Sequence, residues 1–210
     1  MIFRLNNELI FPDPELAEDD GLLAVGGDLR PERLLLAYQN GIFPWYSDET
    51  PILWYAPHER FVLFPEKVKV SNSMRKLMRK PWIEIRMNTQ FENVIKHCAR
   101  IKRPGQESTW ITRDMQRAYI RLHELGHAHS VETYIHGELA GGLYGVSVGN
   151  VFCGESMFSL QPDTSKAALI WLCKQNRYDL IDCQVHTEHL ERMGAGFVSR
   201  SMYLDFLNRK

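Results

Sequence analysis

The chain contains 210 residues, 44% of them hydrophobic and 24% charged, which excludes a disordered or fibrous protein and suits one domain with or without a smaller companion. The formal net charge is −1, so the chain as a whole has no general attraction for a polyanion. No apolar run approaches the roughly 20 residues of a membrane-spanning helix, and the first residues lack the pattern of a secretion signal, so we expect a cytoplasmic protein.

A small N-terminal domain is predicted over residues 1–65. Its one clear helix is PERLLLAYQNG, residues 31–41, because Pro31 stands in the first turn and Gly41 provides a stop. Proline and glycine recur through the rest of this part, and the aromatic clusters FPWY, ILWY and FVLF follow the helix. We therefore expect loops and short strands around a single helix.

The second predicted domain, residues 66–210, has more regular periodicity. Helices are predicted over residues 71–80, 89–103, 112–126 and 163–174 and near the C-terminus, and strands over 82–88, 129–136, 138–147, 151–159 and 178–185. Thr89 and Glu92 predict a capping box, and Asp163 predicts a helix cap. This order gives an α+β fold with a helix-covered sheet, as in acyl-CoA N-acyltransferase (GNAT-type) domains.

One stretch is strongly basic despite the near-zero total. Residues 67–103 contain 11 basic and 2 acidic side chains, a balance of +9, which leaves −10 for the remainder because the sum is −1. Most charge runs form a solvated helical face, and a polyanionic partner is the alternative for an excess of this size.

Residues 123–127 read HELGH and match the H-E-x-x-H zinc motif. In that motif two histidines one helical turn apart hold the metal and the glutamate acts as general base. Here we expect Gly126 to end the helix before His127 can share a face with His123, because the next segment resembles a strand. We therefore expect no metal, and a zinc peptidase using His123, Glu124 and His127 is kept as an alternative.

Polar residues interrupt two of the predicted apolar strands. Asp182 and Gln184 are two apart in LIDCQV and are expected to project from one face, and Glu155 lies in VFCGESMF. Such residues form structural hydrogen bonds or a functional site. Trp45 and Trp110 stand in predicted loops, where tryptophans stack on bases or, more often, anchor the core.

Eight segments spread over both predicted domains form a specific combination: GLLAVGGDL, AYQNGIFPWYS, ILWYAP, TWITRDMQRAYIRLHELGHAHSVE, GGLYGV, FCGESMFS, SKAALI and LIDCQV. With them the sequence resembles the leucyl/phenylalanyl-tRNA–protein transferase family almost end to end. The resemblance implies transfer of leucine, phenylalanine or methionine from aminoacyl-tRNA to the α-amine of proteins beginning with Arg or Lys, which creates an N-degron for protein degradation. It implies no metal or nucleotide cofactor, because the aminoacyl ester is already activated.

The resemblance also implies roles for individual residues. Asp182 and Gln184 match a proton relay in which the Gln184 carbonyl oxygen accepts a proton from the attacking amine, and Glu155 matches an acidic residue that selects a basic N-terminus. The residues that match the terminal-adenosine site are Trp45, Trp110 and Tyr38. Those that match the aminoacyl side-chain pocket are Leu143, Phe152, Met157, Leu169 and Ile170. The basic residues expected on the tRNA phosphates are Arg75, Lys76, Arg79, Lys80, Arg100, Lys102 and Arg103.

Two further alternatives come from other classes of protein. A CoA-dependent N-acyltransferase would share the fold class, but QPDTSKAAL lacks the glycines of a pyrophosphate loop. A non-catalytic tRNA-binding module would need only the basic stretch. The family often has asparagine where this chain has Thr187, a departure that bears on positioning near the site. We expect a monomer without a membrane partner.

Overall fold

The strands form two separate sheets in a computed structural model that describes residues 2–101 and 109–209. The strands are β1 (Phe3–Leu5), β2 (Leu22–Gly26), β3 (Phe43–Pro44), β4 (Leu53–Tyr55), β5 (Glu59–Leu63), β6 (Ile83–Met87), β7 (Ala128–Ile135), β8 (Glu138–Val148), β9 (Val151–Ser159), β10 (Leu180–Gln184) and β11 (Gly196–Ser199). The helices are α1 (Pro31–Gln39), α2 (Asn72–Met78), α3 (Phe91–Arg100), α4 (Arg113–Glu124), α5 (Thr164–Cys173), α6 (Glu188–Arg192) and α7 (Arg200–Leu207).

The smaller sheet has the strand order β1-β2-β4-β3. β1 runs parallel to β2, and the other neighbours are antiparallel. Trp54 of β4 is fully buried, and its Nε1 donates to the Gly26 carbonyl at 2.9 Å. Short strands with the single helix α1 confirm the architecture predicted for this part.

The larger sheet has the strand order β11-β5-β10-β9-β8-β7-β6. The strands predicted over residues 129–136, 138–147 and 151–159 are confirmed as β7, β8 and β9, which form an antiparallel meander with Gly137 (φ +84°) and Gly149 (φ +53°) in the turns. β5 pairs with β10 and β11 in this sheet, although it precedes the predicted domain boundary at residue 65. The chain therefore passes from the smaller sheet to the larger one between Tyr55 and Glu59. The division into two domains stays a prediction.

β9 and β10 form the parallel pair of this sheet, and their pairing is short. It runs from Leu180 opposite Val151 to Asp182 opposite Cys153, while β9 continues to Ser159. Beyond Cys153 the two strands separate, and the cavity described below opens between them.

Helix caps agree with the sequence in one case and differ in two. Thr112, where a helix is predicted to begin, caps α4, since its Oγ1 accepts from the Met115 N–H at 3.2 Å. The predicted capping box of α3 is wrong: Thr89 Oγ1 donates to Glu132 at 2.9 Å, while Glu92 pairs with Lys96. The neighbouring strand β7 thus provides a buried carboxylate that competes for the Thr89 hydroxyl.

The second difference is at α5. Asp163 precedes the helix in a left-handed conformation and makes no side-chain cap bond. Its carboxylate pairs with Lys166 at 2.6 Å instead. α3 also ends at Arg100 rather than at Arg103, because Ile101 has an extended backbone, and Arg103 lies outside the described residues.

Helices cover both faces of the larger sheet. Buried residues of α1, α3, α4 and α7 belong to one core, and those of α2 and α5 belong to another. Along β8 the side chains alternate between them, with Tyr144 in the first core and Leu143 in the second. The predicted α+β class is confirmed. Within the described residues, no helix is long and apolar enough to cross a membrane.

Candidate active site

A cavity of about 480 Å³ opens where β9 and β10 diverge. Its wall is mainly apolar and includes four of the five residues expected in a side-chain pocket: Leu143, Phe152, Met157 and Leu169. Ile170 is buried in α5 without lining the cavity, and Ile181 of β10 lines it instead. Successive side chains of a helix point in directions roughly 100° apart, so Leu169 can face the cavity while Ile170 does not. The sequence match did not distinguish the two positions.

Two irregularities in the strands shape the polar end of the cavity. In the β8–β9 ladder, Tyr144 pairs with Ser156 and Gly145 with Gly154, so Glu155 is the extra residue of a β-bulge. In β10 the register shifts between Asp182 and Gln184. Gln184 has φ of 61°, a left-handed conformation that non-glycine residues seldom adopt and that recurs at functional sites.

Asp182 is fully buried in a network of donors. Arg60 Nε donates to its two oxygens at 3.0 and 3.1 Å, and Nη2 donates to Oδ2 at 2.9 Å. The Tyr203 hydroxyl donates to Oδ2 at 2.8 Å, and the Gln184 backbone N–H donates to Oδ1 at 2.8 Å. Burial alone would lower the pKa of Arg60, but the Asp182 charge raises it above its usual value. Asp182 therefore holds the Gln184 backbone while remaining paired with a cation.

Arg60 also connects the site to the N-terminal sheet. Its Nη1 donates to the Gly41 carbonyl at 3.0 Å, and its guanidinium lies 4.7 Å from the Phe43 ring centroid and 4.6 Å from that of Tyr203. Phe43 itself lines the cavity. The charged group that neutralises Asp182 thus also fixes part of the cavity wall.

Glu155 is buried on β9 and lines the cavity. Its Oε1 accepts from the Tyr38 hydroxyl and from Gln184 Nε2, each at 2.7 Å, and its Oε2 accepts from the Tyr119 hydroxyl at 3.3 Å. Burial raises the pKa of Glu155 to about 7, with the Asp182 charge acting in the same direction and the Tyr38 hydrogen bond opposing it. Glu155 is thus a carboxylate held by neutral donors.

The aromatic residues expected at an adenosine site lie in different surroundings. Trp45 is 41% exposed and Trp110 is half-buried, and both line the cavity. Tyr38 is fully buried, and its hydroxyl is also hydrogen-bonded to that of Tyr119. Tyr38 therefore lies behind Glu155 rather than on the cavity surface.

The basic residues expected on tRNA do not form one cluster. Those on or directly after α2 are exposed together: Arg75, Lys76, Arg79 and Lys80. Arg100 is exposed at the end of α3, whose buried residues belong to the opposite core from those of α2. Lys102 and Arg103 lie outside the described residues.

The H-E-x-x-H geometry does not form. α4 ends at Glu124, and Gly126 has φ of +83°, so His127 leaves the helix as predicted. His123 Nδ1 is 2.8 Å from the Ala128 carbonyl oxygen, and its ring stacks on Phe91. In the described ranges, no group of three potential ligands lies close enough to hold a metal ion.

Sequence reasoning missed three residues that organise the site: Arg60, Tyr119 and Tyr203. Arg60 had a detectable signal, because an arginine within the apolar strand RFVLF requires a buried partner. The two tyrosines had no such signal, since aromatic residues on the inner face of a helix usually belong to the core. Thr187 lines the cavity and caps α6, accepting the Leu190 N–H at 3.2 Å.

An apolar cavity with a buried carboxylate and an amide converging at one end is the arrangement of an enzyme site for a small, mainly apolar group. Family models assign the enzyme class. The model described as leucyl/phenylalanyl-tRNA protein transferase matches residues 62–208, and the model for the N-terminal domain of the same family matches residues 27–58. The chain belongs to the leucyl/phenylalanyl-tRNA–protein transferase family and is a transferase.

Two bacterial relatives agree with this assignment. The leucyl/phenylalanyl-tRNA–protein transferase of Syntrophobacter fumaroxidans is 54% identical over 98% of this chain and 89% of its own length. That of Myxococcus xanthus is 54% identical over 99% of this chain and 91% of its own length. Among solved structures, a GCN5-related N-acetyltransferase from Kribbella flavida overlaps 77% of this chain and 58% of its own, with 9% identity and a TM-score of 0.41.

Proposed function

We propose that this enzyme transfers leucine, phenylalanine or methionine from aminoacyl-tRNA to the α-amine of proteins that begin with Arg or Lys. The product would carry an N-degron for protein degradation. The observation that carries the proposal is the cavity, where an apolar wall adjoins Glu155 and Gln184. The proposal includes no metal or nucleotide cofactor, because the aminoacyl ester is already activated. It describes a monomer in the cytoplasm, without a membrane partner.

The apolar wall is assigned to the side chain of the transferred amino acid. The cavity volume of about 480 Å³ is ample for a leucyl or phenylalanyl side chain with part of its ester. Met157, which is unbranched and only half-buried, suits a pocket that accepts two shapes. Trp45 and Trp110 line the same cavity and are assigned to the terminal adenosine of the tRNA, on which their rings would stack. Tyr38, which was expected at the same adenosine site, instead supports the polar end of the cavity through its hydrogen bond to Glu155.

Gln184 is assigned to the attacking amine. Its side-chain nitrogen donates to Glu155, so the carbonyl oxygen is the atom of this amide that can accept a hydrogen bond from the amine. Asp182 holds Gln184 through its backbone N–H. Because an amide is a poor base, this pair orients the amine. The Glu155 carboxylate contributes the negative charge that attracts a cationic protein N-terminus.

The exposed basic residues are assigned to the phosphates of the tRNA. Arg75, Lys76, Arg79 and Lys80 are exposed together and belong to the stretch with a balance of +9. Contacts of this kind bind the sugar–phosphate backbone of the RNA and depend little on its base sequence.

The test offers leucyl-tRNA with labelled leucine to peptides that differ only in an N-terminal Arg or Ala. The wild type is expected to label the Arg peptide, and Gln184→Ala is expected to lose at least about a hundredfold in kcat because the amine is no longer oriented. Gln175→Ala, at an exposed glutamine just after α5, is the matched control. Asp182→Ala is measured beside them with its melting temperature, because it also breaks the bond to Arg60.

Absence of label on the Arg peptide with the wild type contradicts the proposed transfer. Equal labelling of both peptides contradicts the specificity for basic N-termini.

A further inference from the structure

We propose that the Glu155 carboxylate takes a proton from the α-amine of the acceptor protein during transfer. This inference rests on the proposed function and assigns a chemical step within it. A protein N-terminus near neutral pH is largely an ammonium group, and it must lose a proton before its nitrogen can attack. The site therefore needs a proton acceptor at the cavity surface.

Asp182 does not meet that need, because its oxygens are already occupied. A carboxylate has about four acceptor positions. Oδ1 accepts from Arg60 and from the Gln184 N–H, while Oδ2 accepts from Arg60 and from Tyr203. Asp182 is accordingly a positioning residue for Gln184.

Glu155 has an acceptor position left. Its Oε1 accepts from Tyr38 and Gln184, whereas Oε2 accepts from Tyr119 alone within the described part of the chain. Glu155 forms no ion pair within the described residues, 2–101 and 109–209. A proton added to this carboxylate removes a buried charge, whereas a proton added to Asp182 would leave Arg60 unpaired.

The two tyrosines have room for the added proton. Tyr38, Tyr119 and Glu155 contact one another pairwise, which makes three contacts between oxygens. With Glu155 ionised, the two hydroxyls provide only two hydrogens for these contacts. A proton on Oε2 provides the third and closes a ring, in which Glu155 donates to Tyr119, Tyr119 to Tyr38, and Tyr38 to Oε1. Tyr38 and Tyr119 are thus positioning residues for both forms of Glu155.

Other titratable groups lie around Glu155 and its hydrogen-bond partners. The helices contribute Tyr38 of α1, Tyr119 of α4 and Tyr203 of α7. The strands contribute Arg60 of β5, Tyr144 of β8, Cys153 of β9 and Asp182 of β10. Burial raises the pKa of Tyr38, Tyr119 and Cys153 above their usual values, so these groups stay protonated. The pKa of Glu155, raised to about 7 mainly by burial, agrees with a group that changes its charge near neutral pH.

The step balances as follows. The acceptor ammonium gives one proton to Glu155, its nitrogen attacks the ester carbonyl carbon, and the carbon–nitrogen bond forms. The bond between that carbon and the tRNA ribose oxygen breaks with its electron pair on oxygen, which takes the second proton from nitrogen. Glu155 then returns its proton to solvent through the cavity.

The experiment measures single-turnover transfer of leucine to the Arg peptide between pH 5.5 and 9, with both substrates saturating. For the wild type, we expect the rate to rise with pH to a plateau, with a midpoint near 7. Glu155→Gln, which keeps the shape of the side chain, is expected to lower the rate at pH 7 at least about tenfold and to move the midpoint up to about 8, where the free α-amine loses its proton to solvent.

Two tyrosine variants complete the test. Tyr119→Phe removes a hydrogen bond that lowers the pKa of Glu155, so the midpoint is expected to move to higher pH. Tyr134→Phe, which removes a buried hydroxyl bonded to Thr89, is the matched control and is expected to leave rate and midpoint unchanged. This arm decides the question if Glu155→Gln does not fold.

Each outcome bears on one of the two proposals. A wild type that does not transfer leucine contradicts the proposed function and this inference with it. If the wild type is active, three results contradict the inference alone: Glu155→Gln keeps the wild-type midpoint, it raises KM for the peptide without lowering the rate at pH 7, or Tyr119→Phe leaves the midpoint where it was.

Discussion

Asp182 and Glu155 are carboxylates on adjacent strands at the end of one cavity, and their surroundings differ in the charge of their donors. Asp182 receives a guanidinium, a hydroxyl and a backbone N–H, whereas Glu155 receives two hydroxyls and an amide. The first environment stabilises the negative charge, and the second leaves it only partly compensated in a buried position. Two carboxylates in one site can thereby take separate roles, one holding Arg60 and the Gln184 backbone and the other exchanging a proton.

The largest effect is expected when the Asp182 network is broken. Asp182→Asn keeps the shape of the side chain but leaves Arg60 buried beside a neutral amide. Removing one member of a buried ion pair costs about 3–5 kcal/mol, so chemical denaturation is expected to give a loss of that size. The control is Asp114→Asn, at an exposed carboxylate of α4, which is expected to change stability by less than about 0.5 kcal/mol.

A double variant sharpens this prediction. Replacing both members, with Asp182→Asn and Arg60→Met, is expected to be less destabilising than Asp182→Asn alone, because no unpaired charge then remains. If the single variant is as stable as the wild type, Asp182 is not held by Arg60 as described.

A smaller effect is expected from a substitution in the apolar wall. Such a substitution changes the binding of the amino acid but leaves the two carboxylates as they are. Met157→Ala enlarges the cavity and is expected to raise the ratio of kcat/KM for phenylalanyl-tRNA over leucyl-tRNA roughly tenfold. The midpoint of the pH dependence is expected to stay unchanged. Met202→Ala, at an exposed position, serves as control, and an unchanged ratio for Met157→Ala would remove this residue from the pocket.

The smallest effect on the chemistry is expected from the basic surface. Neutralising Lys76, Arg79 and Lys80 is expected to raise KM for tRNA roughly tenfold near physiological salt, with little loss in kcat, and to weaken the salt dependence of KM. A variant with the same loss of charge at Arg4, Lys174 and Arg177 is the control. A loss in kcat without a change in KM contradicts this assignment.

Periodicity and turn residues were sufficient to predict most elements. The meander β7–β9, helix α1 and the Thr112 cap of α4 follow from local signals, because alternation, proline, glycine and threonine act over a few residues. The capping box at Thr89 failed because a carboxylate of a distant strand, Glu132, took the hydroxyl. Such competition depends on tertiary contacts that a local pattern does not contain.

The candidate site was predictable in its members but not in its connections. Asp182, Gln184 and Glu155 stood out as polar residues in apolar strands. Their arrangement depends on the bulge at Glu155 and on the left-handed backbone of Gln184, neither of which alternation predicts. The pairing of Asp182 with Arg60 joins residues 122 positions apart in the chain, and only the folded structure brings them together.

The comparison between the two carboxylates can be tested without any substrate. The pKa of Glu155 is raised from 4.5 to about 7, so the folded protein binds more protons than the unfolded chain between these values. The stability associated with this group is therefore full below about pH 4.5 and is lost as the pH rises to about 7. The measurement is the unfolding free energy of the wild type minus that of Glu155→Gln at pH values from 5 to 8. The account predicts that this difference falls by about 2.5 kcal/mol across the range, and a difference that stays constant with pH would contradict it.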